Sequence, residues 1–297
     1  MQNVVPVQLS QVRDFGQIIS TTFQFLKQNW RPLFRAIAVI CLPLGLLAGF
    51  FLGKTMGDIQ SLTMRNDPGD PMAMFSGMMN SIVPLLLGYL LMFAAIILMI
   101  SITYEYIRAY HLGEHVGITP GDLWKRASGQ IGSYFGTSFL SGLLLVLGFV
   151  LCILPGFYVL TVLALALACH AIERTGATGS MARSNDLVKG RFWETLGLVL
   201  VVGIIQSFIT GALMLPFTIV SMVVTMNSTI ASVTSHGSME LPGWMGLFTA
   251  ISTALQLAIT LLTYPIVAVA LALKYFTLVE EKEGHGLRKK MEGFEQA

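Results

Sequence analysis

Charged side chains are scarce in this chain: only 11% of its 297 residues are Asp, Glu, Lys or Arg. A soluble domain carries about 25% charged residues. The chain is instead 54% hydrophobic, with a mean hydropathy of +0.71 and a net charge of only +2. This balance excludes a disordered chain, an ordinary soluble enzyme and a nucleic-acid-binding surface. We therefore expect membrane lipids, and no nucleic acid, among its partners.

Cysteine is also scarce. The three cysteines are Cys41, Cys152 and Cys169, and each lies inside an apolar run. An odd number of widely spaced thiols provides neither a disulfide framework nor a CxxC metal motif. We expect all three to be small core residues.

The chain contains six long apolar runs, and a membrane span needs about 20 apolar residues. The predicted spans are Pro32–Leu52, Ile82–Ile107, Phe135–Leu154, Phe157–Ile172, Thr195–Val224 and Trp244–Leu278. The third is predicted to end at Pro155-Gly156. Because the fourth is short, two interpretations remain open: spans three and four both cross fully, or they form one re-entrant hairpin. In both interpretations, the residues after span four lie on the same side of the membrane as the residues before span three.

Basic residues are distributed unevenly around these spans. Sixteen of the eighteen lie in the N-terminal segment, after spans two and four, or from the end of span six onward, whereas Lys54 and Arg65 lie elsewhere. Positive residues favour the cytoplasmic side, so both termini are predicted to be cytoplasmic. Arg13, Lys27 and Arg31 interrupt the first 31 residues, and we expect no cleavable signal there.

An amphipathic stretch with aromatic residues precedes each predicted hairpin. The three stretches are Asp14–Trp30, Asp122–Phe135 and Ser180–Trp193. Their pattern is typical of helices lying at the membrane interface, here called elbow helices. The predicted fold is an all-α membrane bundle of six helices, arranged as three hairpins with cytoplasmic elbow helices and a pseudo-threefold repeat.

The predicted organisation is a single membrane domain covering the whole chain. Residues 1–31 form a cytoplasmic amphipathic segment, residues 32–278 the six-helix bundle, and residues 279–297 a charged cytoplasmic tail.

Residues 155–197 carry a recognisable pattern. It consists of Pro-Gly-Phe-Tyr from Pro155, then Glu173, then the run ARSNDLVKGRFW from Ala182 to Trp193. The pattern resembles the membrane domain found beside glycerophosphoryl diester phosphodiesterases and that of related bacterial multi-span proteins of uncharacterised function. Residues 15–34, with Trp30-Arg31-Pro32, are also similar to that family. The resemblance implies a multi-pass protein of the bacterial cytoplasmic (inner) membrane. The phosphodiesterase barrel has no counterpart here, so we expect no such hydrolysis.

A possible metal motif follows span two: His111, Glu114 and His115 match the zinc-protease pattern H-x-x-E-H. On a helix the two histidines would share one face. Because Gly113, Gly117 and Pro120 favour a turn, we interpret the segment as a polar cytoplasmic loop.

Methionines are concentrated between spans one and two. They are Met56, Met64, Met72, Met74, Met78 and Met79. Thioethers bind Cu(I), and Met72 with Met74 would form a pair of ligands. The favoured interpretation is an amphipathic stretch on the outer leaflet, which methionine fills easily.

Four ionisable residues are candidates for a cleft or interface: Glu105, Arg108, His170 and Arg183. An ionisable group in a span is a functional candidate. Arg108 lies one helical turn from Glu105 and is expected to neutralise it as a structural ion pair. We expect no span to carry an acidic residue at its centre, which disfavours ion-coupled transport.

Small residues recur at intervals of four in two places. Gly45, Gly49 and Gly53 do so in span one, and Gly132 and Gly136 do so before span three. Such stripes let helix backbones approach closely. We expect packing within the chain, with packing between two chains as the alternative.

These features favour a non-enzymatic membrane scaffold or accessory subunit, without a cofactor, that binds lipid and a protein partner or larger membrane complex. The alternative is a transporter or lipid-handling protein with a cavity between hairpins. A metalloenzyme built on His111, Glu114 and His115 is a remote third possibility.

Overall fold

The computed structural model describes residues 6–65, 71–235 and 242–284. Within these ranges the chain forms eleven α-helices and no strand, which confirms the all-α prediction. The helices are α1 Phe15–Ile40, α2 Leu42–Arg65, α3 Pro71–His111, α4 Pro120–Ser128, α5 Ile131–Leu151, α6 Ile153–Leu163, α7 Ala166–Glu173, α8 Ala177–Val188, α9 Phe192–Ser235, α10 Met245–Thr263 and α11 Pro265–Glu283.

Five helical segments in the described part of the chain are long and apolar enough to cross a membrane. They are Phe75–His111, Ile131–Leu151, Ile153–Glu173, Phe192–Ser232 and Met245–Glu283. A sixth is obtained if α1 and α2, which meet at a bend of 50°, are counted as one broken span. The helices therefore fit a multi-pass membrane protein. The direction in which they cross stays a prediction.

The first predicted span is bent rather than straight. Helix α1 continues without interruption through Trp30 and Pro32, so the first amphipathic stretch and the start of span one form one helix. The break falls at Cys41, immediately before α2, and Pro43 is the second residue of α2. A proline ring removes one amide donor and clashes with the carbonyl four residues earlier, which explains a helix ending there.

The turn after α5 lies earlier than predicted. The backbone is extended at Cys152 (φ −173°, ψ 160°), and Pro155-Gly156 belong to the first turn of α6 instead of ending span three. The first turn of a helix accepts proline because its amide groups have no intrahelical acceptor. Cys152 is exposed in this turn, so the prediction of a core residue is wrong there. It is confirmed for Cys41 and Cys169, which are buried.

Short helices precede two of the hairpins. Helix α4 begins with a reciprocal capping box in which Thr119 and Asp122 each bond to the other's backbone, and it buries Leu123 and Ala127. Helix α8 precedes α9, and Gly190, with φ of +87°, forms the turn between them. That these helices lie at a membrane interface, and that three hairpins repeat, remain predictions.

The contacts divide the chain into two compact units. Among the described residues, unit 1 comprises 6–37, 97–206 and 264–284, and unit 2 comprises 38–65, 71–96, 207–235 and 242–263. Unit 1 contains helices α4 to α8 and α11, with the adjoining parts of α1, α3 and α9. Unit 2 contains α2, α10 and the remaining parts of α1, α3 and α9.

Unit 2 contains a close packing of α2 against α10. A Cβ atom added at Gly49 would lie 2.5 Å from the Cα of Ala254, and one at Gly53 would lie 2.6 Å from the Cα of Ala250. Since backbone atoms leave no room, only glycine permits this approach. The expected packing of this stripe within the chain is confirmed. At Gly132 and Gly136 a Cβ would meet no atom within 4 Å.

We predict that Gly49→Ala lowers stability, because its methyl group forces the backbones of α2 and α10 apart. The cost of such overpacking is about 1–3 kcal/mol. Thermal unfolding in detergent measures it as a lower Tm. The matched control is Gly136→Ala in α5, where the methyl group enters open space. Equal Tm values for the two variants would contradict the packing role.

Candidate functional site

A fully buried carboxylate lies in unit 1. Glu105 of α3 has no exposed side-chain surface. The Tyr134 hydroxyl donates to its Oε1 at 3.0 Å, and Arg174 Nη2 donates to its Oε2 at 2.7 Å. A buried charge is tolerated only when it is paired and hydrogen-bonded. The partner of Glu105 is thus Arg174, and the predicted pairing with Arg108 is wrong.

Arg174 reaches Glu105 through an unusual turn. It ends α7 in the left-handed conformation, with φ of 56° and ψ of 31°, and is the one non-glycine residue of the described chain with positive φ. This conformation is strained for a residue with a side chain. Its amide still donates to the carbonyl of His170 at 3.0 Å, as in a helix, and its positive φ ends α7. The side chain of this left-handed residue is the one that pairs with Glu105.

His170 lies beside this ion pair. Its Nδ1 is 2.6 Å from the carbonyl oxygen of Thr175, and its ring meets the Tyr134 ring edge to face at 4.8 Å. Because a carbonyl only accepts, Nδ1 carries the proton and Nε2 of the neutral ring is an acceptor. We name the group Glu105, Tyr134, His170 and Arg174 the Glu105 cluster.

Buried polar atoms in and next to the Glu105 cluster lack hydrogen-bond partners among the described residues. They are His170 Nε2, Arg174 Nη1 and the hydroxyl of Tyr104. An unpartnered buried polar atom is costly, and such atoms in native proteins are commonly satisfied by water or a ligand. The Glu105 cluster therefore retains both donor and acceptor capacity.

A second cluster forms around Arg183 of α8. Its Nε donates to Glu173 Oε1 at 2.9 Å, and its Nη2 donates to Glu283. The Tyr275 hydroxyl donates to the same Glu173 oxygen at 2.8 Å. Partial burial lowers the pKa of Arg183, but the hydrogen bonds to Glu173 and Glu283 outweigh it and raise that pKa overall. This Arg183 cluster links α7, α8 and α11.

Two further ion pairs join α11 to the start of α9 and to Arg191, the residue before it. Lys274 is almost fully buried, and its Nζ lies 2.8 Å from Glu194 Oε1. Arg191 Nε lies 3.3 Å from Glu281 Oε2. The burial of Lys274 requires the carboxylate of Glu194, since an unpaired ammonium would be costly in that position.

The four candidate residues do not line one cleft. Glu105 and His170 belong to one cluster, and Arg183 belongs to the other. Sequence reasoning missed Tyr134, Glu173 and Arg174. The adjacent opposite charges of Glu173 and Arg174, directly after an apolar run, were the available signal.

The segment carrying H-x-x-E-H forms turns between α3 and α4. His111 stacks on Phe276 with ring centroids 4.8 Å apart, and His115 stacks on Tyr110 at 4.2 Å. Glu114 pairs with Arg126 at 2.7 Å. The three side chains thus have separate neighbours, and the described residues contain no group of three His, Cys, Asp or Glu placed to hold a metal ion.

The methionines are described only in part. Met56, Met72, Met78 and Met79 have exposed side chains. The side chains of Met64 and Met74 lie outside the described residues, so the Met72–Met74 copper pair stays a prediction.

A separate polar cavity of about 370 Å³ lies between residues 6–13 and the first turns of α1. The residues that line it include Gln8, Gln17 and Thr21, with Arg13 as the charged one. Burial lowers the pKa of Arg13, whose Nη1 donates to the carbonyl of Leu9 at 2.9 Å. The guanidinium of Arg13 therefore fixes the backbone of the segment that precedes α1.

We predict that Arg174→Gln destabilises the protein by about 3 kcal/mol, because it leaves the Glu105 carboxylate buried without its cation. The double variant Glu105→Gln/Arg174→Gln should be more stable than Arg174→Gln alone. The free energy of unfolding in mixed detergent micelles measures whether the double variant is the more stable of the two.

The control for this prediction is Arg126→Gln, which breaks the partly exposed pair with Glu114. Such pairs contribute about 0–1 kcal/mol. Equal losses for Arg126→Gln and Arg174→Gln would show that burial of Glu105 is not the cause.

No family model, curated protein or solved structure matches this chain. The resemblance in residues 155–197 consequently remains an expectation from the sequence.

Proposed function

We infer that this chain is a non-enzymatic scaffold or accessory subunit of the bacterial cytoplasmic membrane, with both termini cytoplasmic. In this proposal the elbow helices and the adjoining helix starts bind lipid headgroups and a protein partner. The observation that carries the proposal is a set of exposed tryptophans next to basic residues.

Three of the four tryptophans are in unit 1, and all three are exposed. Trp30 in α1 is 53% exposed, Trp124 in α4 is 44% exposed and Trp193 in α9 is 79% exposed. Each has basic neighbours in the sequence, and the guanidinium of Arg31 lies 5.6 Å from the centre of the Trp30 ring. Tryptophan is enriched at the membrane–water interface, and Lys and Arg attract anionic headgroups there. These residues support a headgroup-binding surface, here called the tryptophan surface.

The pairing of the buried charges also favours a structural role. Glu105 is neutralised by Arg174, and Lys274 by Glu194. A transport pathway commonly uses an ionisable group that changes its partner or protonation during the cycle. Paired groups of this kind instead hold helices together, as a scaffold requires.

A second candidate function is that of a transporter or lipid-handling protein. The unpartnered atoms of His170, Arg174 and Tyr104 favour it, because a polar ligand would satisfy them. The complete enclosure of Glu105 favours the scaffold.

The proposal predicts that wild-type protein, purified in mild detergent, retains anionic phospholipid and a stoichiometric protein partner. Trp124→Ala/Trp193→Ala should lose most of this binding, because the aromatic anchors are removed. Native mass spectrometry measures both kinds of binding.

The matched control is Phe208→Ala, which truncates an equally exposed aromatic residue of α9 outside the tryptophan surface. It should bind like the wild type. Purification of the wild type as a lone monomer without lipid or protein would refute the proposal.

A further inference from the structure

The polar cavity beside α1 has folded backbone on both sides. Residues 6–13 form one side, and the first turns of α1 form the other. Val7 and Leu9 anchor the first side because their side chains are buried, and the Thr277 hydroxyl of α11 donates to the carbonyl of Gln11 at 3.4 Å. The volume of about 370 Å³ lies within the range of small-ligand pockets, which is about 300–1,000 Å³.

Every polar side chain that lines this cavity can donate a hydrogen bond, and none of them is a carboxylate. The lining has four carboxamides, two hydroxyls and one guanidinium, which belong to Gln8, Gln11, Gln17, Gln24, Ser20, Thr21 and Arg13. Asp14, the adjacent carboxylate, caps α1 by accepting from the amide of Gln17 at 2.8 Å. A lining with several donors, one positive charge and no negative charge favours an anionic ligand.

Arg13 is the one buried arginine among the described residues, with 6% of its surface exposed. Its Nη1 donates to the carbonyls of Leu9 and Gln11 at 2.9 and 3.2 Å, and its Nη2 donates to the carbonyl of Gln8. These carbonyls satisfy donors but carry no net charge. No carboxylate in the described part of the chain forms an ion pair with Arg13. Since a buried charge is costly unless it is paired, an external anion would stabilise it.

One edge of the Arg13 guanidinium is available to such an anion. Its Nε forms no hydrogen bond within the described chain, and the second contact of Nη2 is a long one, 3.5 Å from Oε1 of the exposed Gln11 side chain. Nε and Nη2 form the fork of donors that matches two oxygens of a carboxylate or a phosphate. A phosphate has a further oxygen for the carboxamides and hydroxyls of the lining. The number of donors therefore favours a phosphate over a carboxylate.

We propose that this cavity binds the phosphate group of a small ester, with Arg13 holding two of its oxygens and the carboxamides and hydroxyls of the lining contacting the rest. The phosphate belongs to a phospholipid headgroup or to a soluble ester, which share this chemistry. The inference goes beyond the proposed function and can fail separately from it, because the site uses no residue of the tryptophan surface.

Binding of inorganic phosphate to the full chain in dodecyl maltoside tests the site. Isothermal titration calorimetry should show saturable binding to the wild type. Arg13→Gln should weaken this binding about tenfold or more, because a charged hydrogen bond is lost. The matched control, Arg35→Gln, removes an exposed arginine of α1 that does not line the cavity, and it should bind like the wild type. Equal binding by all three proteins, or none by the wild type, would overturn the proposal.

A charge series at Gln24 keeps the test decisive if Arg13→Gln fails to fold. Gln24 is an exposed part of the lining, so its replacement should leave the fold intact. Gln24→Glu should weaken phosphate binding and Gln24→Lys should strengthen it, each about twofold to fivefold, as for a partly exposed charge pair. The same dissociation constant for both variants would contradict an anion in this cavity.

The variant Trp124→Ala/Trp193→Ala separates this inference from the proposed function. It should bind inorganic phosphate like the wild type even though the tryptophan surface is lost. A loss of phosphate binding equal to that of Arg13→Gln would place the anion at the tryptophan surface and overturn the proposal.

Competition against inorganic phosphate identifies the class and source of the anion. Sodium acetate should compete poorly, and competition equal to that of phosphate would overturn the assignment to a phosphate. Dihexanoyl phosphatidic acid represents a lipid headgroup, and O-phosphoethanolamine represents a soluble ester. Displacement of inorganic phosphate by either one supports the proposal, and the stronger competitor identifies the source. Displacement by neither would overturn it.

Discussion

The buried carboxylate of Glu105 sets the arrangement of unit 1. A carboxylate without exposed surface must be neutralised and hydrogen-bonded, or it will not remain charged. Tyr134 supplies one donor from the start of α5, and Arg174 supplies the cation from the end of α7. One side chain of α3 therefore holds two other helices in fixed positions. The left-handed turn at Arg174 is a local cost that this interaction compensates.

The adjacent residues Glu173 and Arg174 connect two polar clusters. Glu173 pairs with Arg183, whereas Arg174 pairs with Glu105. Neighbouring opposite charges would ordinarily interact with each other or with water. Here the end of α7 directs them to different partners, so that α3, α8 and α11 are all joined at this point. The few charges of the chain are thus used mainly where helices must be held together.

Local sequence was sufficient for much of the fold. Apolar runs located the helices that are long and apolar enough to cross a membrane, because hydropathy over about 20 residues is a local property. The stripe of Gly45, Gly49 and Gly53 correctly predicted close packing within the chain. The prolines alone could not locate the break at Cys41, because those at 32, 84 and 216 lie inside helices without interrupting them. Whether a proline ends a helix depends on its neighbours in three dimensions.

The polar site was less predictable, for a different reason. The helical spacing of Glu105 and Arg108 predicted a local pair, but the cation comes from Arg174, which is 69 residues away. A local sequence pattern does not predict a contact between residues so far apart in the chain. Nor does a helical pattern indicate a left-handed residue without glycine.

Units 1 and 2 differ in what holds their helices together. In unit 2, α2 and α10 approach through glycine and alanine, and dispersion forces act along the whole contact. In unit 1, the hairpin of α5 and α6 is fixed at its base by the hydroxyl of Tyr134, while its tip exposes aliphatic side chains. A hydrogen bond in a low-dielectric region is strengthened by the absence of water. The hydroxyl of Tyr134 thus fixes the base of this hairpin, whereas Gly148 and Gly156 let its two helices approach closely at the turn.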